Sequence, residues 1–175
     1  MPRTFQETLE AVQLADGLGF DTALICEHHV VEAGFFPAPL VVCGALATAT
    51  EQIRLGPGVL LLPLYDPLHV AEHGAMVDIV SGGRFVLGVG YGYRQEEFDA
   101  FDVPLEERFS RTKEGIQAID ALWTNGKTTY DGKHYQYRDV THRPQPTQSP
   151  RPPIWLAAKA ESGVRQAARI ADAWF

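Results

Sequence analysis

Phe20 to His29 reads Phe-Asp-Thr-Ala-Leu-Ile-Cys-Glu-His-His, an apolar run that stops at an acid and two imidazoles. A carboxylate beside two imidazoles can supply a general base, or two metal ligands with an oxygen donor. The run is too short for a helix and is entered through Gly19, so it reads as a buried strand. A strand buried on both faces implies a parallel sheet covered on both sides. Glu27, His28 and His29 then fall at its carboxyl end, where such sheets place their chemistry. Adjacent strand residues point to opposite faces, so His28 and His29 cannot both look into one pocket.

Three further constellations carry chemistry. His69-Val-Ala-Glu72-His73 matches H-x-x-E-H, which sets two imidazoles on one helix face as in inverted zinc proteases. A zinc site also needs a third protein ligand, for which His28 is the candidate. Gly88, Gly90 and Gly92 follow an apolar run, but their spacing is G-x-G-x-G, and four of the six residues from Arg94 to Asp99 are charged. A dinucleotide fingerprint fits poorly, and the glycines better serve to bring a flat ligand close to the backbone. Ala158-Lys159-Ala160-Glu161-Ser162 joins a strand to a helix, where free N–H groups, with Ser162 as a cap, can hold an anion or simply start a capped helix.

The elements that would position these groups alternate helix and strand. Thr4 and Glu7 form a capping box for a first helix, with Phe5, Leu9, Val12 and Ala15 at helical spacing before Gly17 and Gly19. An irregular loop with Gly34, Pro37 and Pro39 leads to an alanine-rich helix over 40–50, and a second apolar run, 53–62, is interrupted by Gly56, Pro57 and Gly58. Asp66 and Pro67 start a helix that ends near Val80, and Arg84 to Gly92 is the third strand. The longest helix, 106–123, places Phe109, Ile116, Ile119 and Leu122 or Trp123 on one side. A hairpin turns at Asp131-Gly132, followed by a proline-rich connector, a strand over 154–158, a helix over 161–171 and the start of another strand at Ala173. The pattern calls for a parallel α/β sheet, either open and doubly wound or closed as a barrel.

Composition narrows the function. With 175 residues, 45% hydrophobic and 21% charged, the chain can build a core, and its net charge of −7 argues against nucleic acid or anionic membranes as partners. Cys26 and Cys43 lack a C-x-x-C spacing, and no run of ~18 apolar residues or signal core occurs, so a reduced cytoplasmic setting is expected.

These stretches together resemble the bacterial luciferase-like flavin-dependent monooxygenase family. The matching residues are Cys26-Glu27-His28-His29, Arg54 to Pro63, Met76 to Gly92, and Pro152 to Ala158, in that order. The resemblance implies a (β/α)8 TIM barrel in which reduced flavin mononucleotide (FMN), delivered by a separate flavin reductase, meets O2 and oxygenates a small hydrophobic substrate such as an aldehyde. By resemblance His28, with Glu27 beside it, is catalytic; Gly58 and Val59 share a cis peptide behind the flavin ring. Gly90, Tyr91 and Gly92 line the flavin and its phosphate, Arg108 is a phosphate ligand, and Ala158, Lys159, Ala160, Glu161 and Ser162 form the phosphate-cradling turn. His29, Phe35 and Phe36 are expected to line the substrate, the two aromatics as an apolar lid. Where the light-emitting subunit has cysteine and arginine this chain has Gly90 and Tyr91, so a general monooxygenase fits better than light emission.

The same superfamily contains deazaflavin (coenzyme F420)-dependent dehydrogenases with the same barrel and strand-end imidazole, which is the alternative reading. A zinc-dependent hydrolase using His28, His69 and His73 is the alternative from another class. A complete barrel takes ~250 residues, so residues 1–175 are expected to be a single partial barrel domain, about five of eight units, lacking the first strand and the last two to three units. A homodimer is the expected assembly.

Overall fold

The computed structural model describes residues 2–32 and 35–175. In chain order the strands are β1 (Thr22–Ile25), β2 (Arg54–Pro57), β3 (Leu60–Leu61), β4 (Leu87–Gly90), β5 (Lys127–Asp131), β6 (Gln136–Thr141), β7 (Ile154–Leu156) and β8 (Ala173–Trp174). β1 pairs in parallel with β2, and β3, β4, β7 and β8 form a second parallel ladder in that order. The two ladders are joined where Leu55 donates to the Arg84 carbonyl and accepts from the Val86 N–H, both at 3.0 Å. β2 and β3 therefore act as one strand interrupted at Gly58-Val59, and the result is a parallel α/β array without a closed sheet among the described residues.

The helices α1 (Pro2–Gly17), α2 (Pro39–Ala47), α3 (Pro67–Val80), α4 (Gln95–Ala100), α5 (Arg108–Asn125) and α6 (Glu161–Ile170) fill the crossovers. One continuous core includes Leu46, Leu55, Leu60, Leu62, Val70, Phe85, Leu87, Ile116, Ile119, Leu122, Trp123 and Leu156. Trp123 buries its ring and donates its indole N–H to the Ala71 carbonyl at 2.9 Å, locking α5 against α3. Asp66 caps α3 by accepting from the Leu68 N–H at 2.8 Å, as its sequence predicts. The β5–β6 hairpin lies outside the parallel array, its turn running from Asp131 to Gln136, with the Gly132 N–H on the Tyr135 carbonyl.

Several expectations shift in register or burial. α1 begins at Pro2, so Thr4 lies inside the helix, where its carbonyl accepts from Thr8 Oγ1. β1 is half-buried over Thr22 to Leu24 rather than fully covered, because β2 is its one strand partner among the described residues. The face of α5 is buried at Ile116, Ile119, Leu122 and Trp123, but Phe109 at its start is half exposed. The charged stretch after Gly92, unlike the apolar start of a packed crossover helix, forms the short helix α4. Gly34, expected in the loop after His29, lies outside the described residues. No described helix is long and apolar enough to cross a membrane.

Candidate functional site

The carboxyl ends of the parallel strands open onto a cavity of about 630 Å³. Cys26, Glu27 and His28 follow β1, Gly58, Val59 and Leu61 come from the interrupted second strand, Gly90 to Tyr93 follow β4, and Ala157 to Lys159 follow β7. Phe35 and Phe175 complete the wall.

Extended backbone after β1 sorts the side chains by parity. Ile25, Glu27 and His29 are buried, Glu27 still reaching the cavity wall, whereas Cys26 is exposed and opens with His28 onto the cavity. The sequence reading placed Cys26 inside a buried strand; the alternation turns it toward the open cavity instead. Val30 follows at φ 52°, the left-handed region that a β-branched residue rarely adopts, so the chain turns sharply right after the imidazoles.

The Glu27 carboxylate accepts from the Leu61 N–H at 2.5 Å and from the Tyr65 hydroxyl, and its Oε1 lies 3.0 Å from His29 Nε2. Burial, and then the neighbouring Glu27 charge, push the Tyr65 phenol far above its ordinary pKa, which keeps it a donor. Glu27 thus ties the end of β1 to β3 and to the turn after it. His29 packs edge-on against Phe101 at 4.7 Å and is not part of the cavity wall.

His28 has a different environment. Its Nδ1 stands 2.9 Å from Glu97 Oε1, an oxygen that also accepts the His29 N–H at 2.9 Å. Edge-on aromatic rings flank the imidazole, Phe35 at 4.7 Å and Tyr93 at 6.4 Å. Phe36 does not join them; it bridges the Glu27 backbone and lines a separate groove with Phe5 and Val42.

Opposite, the Gly58-Val59 peptide is cis, as the resemblance implied. Gly90 faces it so closely that an added Cβ would stand 2.6 Å from Val59 Cγ2, so only glycine keeps this wall flat. The Tyr91 ring packs on Phe109 at 4.8 Å, and its buried hydroxyl has no hydrogen-bond partner among the described residues; burial pushes its pKa up. Arg108 stands away from the cavity wall, over the outer aromatic layer: its guanidinium is 4.3 Å from the Phe109 centroid and its Nη1 donates to the Leu105 carbonyl. Lys159 is at the wall, and Ala160 is the N-cap of α6 without a side-chain cap bond. Ser162 is therefore in the first turn and not the cap, and Glu161 pairs with Arg165 at 2.6 Å, neither touching the cavity.

The zinc alternative does not assemble. His69 and His73 stack at 6.1 Å on α3, but among the described residues no group of three or more His, Cys, Asp or Glu side chains comes together to hold a metal.

With this geometry in place, the comparisons with known proteins are informative. The family model described as luciferase-like monooxygenase matches residues 1–175. The chain belongs to the luciferase-like monooxygenase family.

The oxygenase component of flavin-dependent trigonelline monooxygenase from Acinetobacter baylyi is 35% identical over 158 residues, covering 89% of this chain and 43% of the relative. An F420-dependent glucose-6-phosphate dehydrogenase from Microbacterium testaceum is 34% identical over 177 residues, covering 96% of this chain and 51% of that protein. Among solved structures, monooxygenase RslO1 from Streptomyces bottropensis superposes with a TM-score of 0.89 at 35% identity, covering 94% of this chain and 51% of that one. This luciferase-like chain spans about half the length of the relatives it matches.

Two residues of the luciferase-like site escaped the sequence reading. Glu97 lies in the charged stretch that fitted a dinucleotide fingerprint poorly, yet its side chain is fully buried against His28. Tyr65, just before Asp66, carries no motif that singles it out. The faint signal for Glu97 is the Phe98 beside it, an apolar residue that must be buried if the segment is helical.

Proposed function

We propose that this chain carries the reactive half of a monooxygenase that uses reduced FMN and O2 on a small hydrophobic substrate such as an aldehyde. The observation that carries the reading is His28 standing across one apolar-walled cavity from the flat surface of Gly58, Val59 and Gly90. The residues fit a planar group: Gly90 leaves no side chain to obstruct its wall, and the cavity is largely apolar around one imidazole. Gly58, Val59 and Gly90 to Gly92 would hold the ring system. Lys159, with the free N–H groups of Ala160, Glu161 and Ser162 at the start of α6, would take the phosphate. When bound, reduced FMN supplies the electrons that activate O2.

The chain's own part is to bind, orient and move a proton. His28 transfers that proton at the cavity edge, because an imidazole exchanges protons readily near neutral pH. Phe35, Tyr91 and Phe175 exclude water from the reacting region. Glu27, with its carboxylate oxygens engaged by Leu61, Tyr65 and His29, fixes the end of β1 so that His28 stays in place. In this reading the parallel strands are part of a (β/α)8 barrel whose carboxyl-end face is the active site. A separate flavin reductase supplies the reduced cofactor, in keeping with the "oxygenase component" to which the chain is similar.

A second reading, coenzyme F420 with hydride transfer and no oxygen, is supported by the 34% identity to F420-dependent dehydrogenases. Feeding the purified chain reduced FMN from a reductase, isotopically labelled O2 and a panel of aldehydes and cyclic ketones separates the two. Labelled oxygen in the product supports the monooxygenase. Oxygen-independent oxidation of a substrate with F420 moves the assignment to the dehydrogenase.

A further inference from the structure

We propose that Glu97 is the positioning residue for His28, holding its proton on Nδ1 and presenting Nε2 to the cavity as a proton acceptor. The argument deepens the proposed role of His28 and rests on that reading for its catalytic consequence, but not for its geometry.

The local sequence explains how an acid reaches this place. Gly92 adopts φ 71°, and an added Cβ there would lie 2.7 Å from Phe98 Cε2. Without that Cβ the Phe98 ring packs under the turn and is fully buried, which docks α4 against the carboxyl end of β4. Glu97, one residue earlier, is thereby driven inward beside β1, 69 residues away in sequence from His28.

The hydrogen bonds then set the tautomer. A carboxylate has no proton to give, so both groups that meet Oε1 must donate to it. One is the His29 backbone N–H and the other is His28 Nδ1, each at 2.9 Å. With Nδ1–H so committed, the neutral ring keeps its lone pair on Nε2. The Arg94 guanidinium lies 3.9 Å from the same Oε1. Among the described residues Glu97 Oε2 is buried without a partner, and Oε1 carries the hydrogen bonds of this carboxylate.

The test reads the imidazole directly. In nitrogen NMR of the purified full chain, at a pH where the imidazole is neutral and with His28 assigned through His28→Gln, the His28 ring should show Nδ1–H as its major form. Glu97→Gln keeps a carbonyl oxygen in place and should preserve that form. Glu97→Leu should give up Nδ1–H for the Nε2–H form and lower turnover roughly 10²-fold or more, with substrate KM little changed. A wild-type chain with Nε2–H dominant overturns the proposal, and so does a folded Glu97→Leu variant that retains Nδ1–H. Should Glu97→Leu fail to fold, the wild-type spectrum still decides. A wild-type Nδ1–H ring in a chain that binds no flavin leaves this inference standing and defeats the proposed function instead.

Discussion

Gly90 and Val59 meet across the cavity wall with no space between them: a Cβ on Gly90 would stand 2.6 Å from Val59 Cγ2 and 3.2 Å from its Cβ. Both backbones are held by the β3–β4 pairing, where Leu61 is registered with Gly90, so neither can retreat freely. Gly90→Ala should therefore push Val59 into the cavity. The expected result is a folded variant destabilised by about 1–3 kcal/mol, the usual cost of overpacking, with flavin affinity lowered at least roughly tenfold. Urea unfolding and a flavin titration, run together, check both halves.

Tyr65 donates to a carboxylate that is almost wholly buried. Removing one donor from such a group exposes part of its desolvation penalty. Tyr65→Phe should cost about 1–3 kcal/mol by the same estimate. Since Glu27 and His29 sit directly beside His28, turnover should fall as well. Denaturant midpoints and steady-state rates measure the two effects.

Arg84 spends all five of its guanidinium N–H groups on one junction. Nε donates to the Ser81 carbonyl, Nη1 to Thr50 Oγ1 and the Ile53 carbonyl, and Nη2 to the Ala47 and Thr50 carbonyls. Lysine offers three donors on a point charge and cannot reproduce the fork. Arg84→Lys should lose about 3 kcal/mol by leaving buried acceptors unmade, while the cofactor affinity of the fraction that remains folded stays near wild type. Thermal unfolding beside flavin titration separates those outcomes.

His142 is buried, and burial lowers its pKa below the usual 6.5 despite the opposing Ala71 carbonyl and Glu72. The unfolded chain then binds a proton that the folded chain refuses. Stability from this group is complete above the unfolded value and declines as pH falls from about 6.5 toward the lowered folded value. His142→Gln removes the linkage, so its stability deficit relative to wild type should shrink as pH falls through that window. Urea midpoints for both chains across the window give the comparison.

The sequence pattern made the frame legible wherever the signal was local. The apolar run before Glu27 and the Asp66-Pro67 start of α3 need only neighbouring residues to be understood, and each lies where expected; the hairpin forms too, but Asp131 ends its first strand and the turn follows over 132–135. His28 was legible because a strand end and parity fix it. Glu97 was not, because its burial depends on a turn at Gly92 and a partner 69 residues away. Ser162 and Thr4 show the same limit at smaller scale. Either could cap a helix, but the helix starts two residues earlier than a Ser162 cap would place it and three earlier than a Thr4 cap would.

An anaerobic titration of the purified chain with reduced FMN, beside reduced F420 and followed by fluorescence, tests the central claim most directly. The account predicts saturable binding of reduced FMN in preference to F420, lost in Gly90→Ala and kept in His28→Gln, whose oxygenation should fall roughly 10²-fold or more. A folded wild-type chain that binds neither cofactor, or that binds F420 alone, contradicts it.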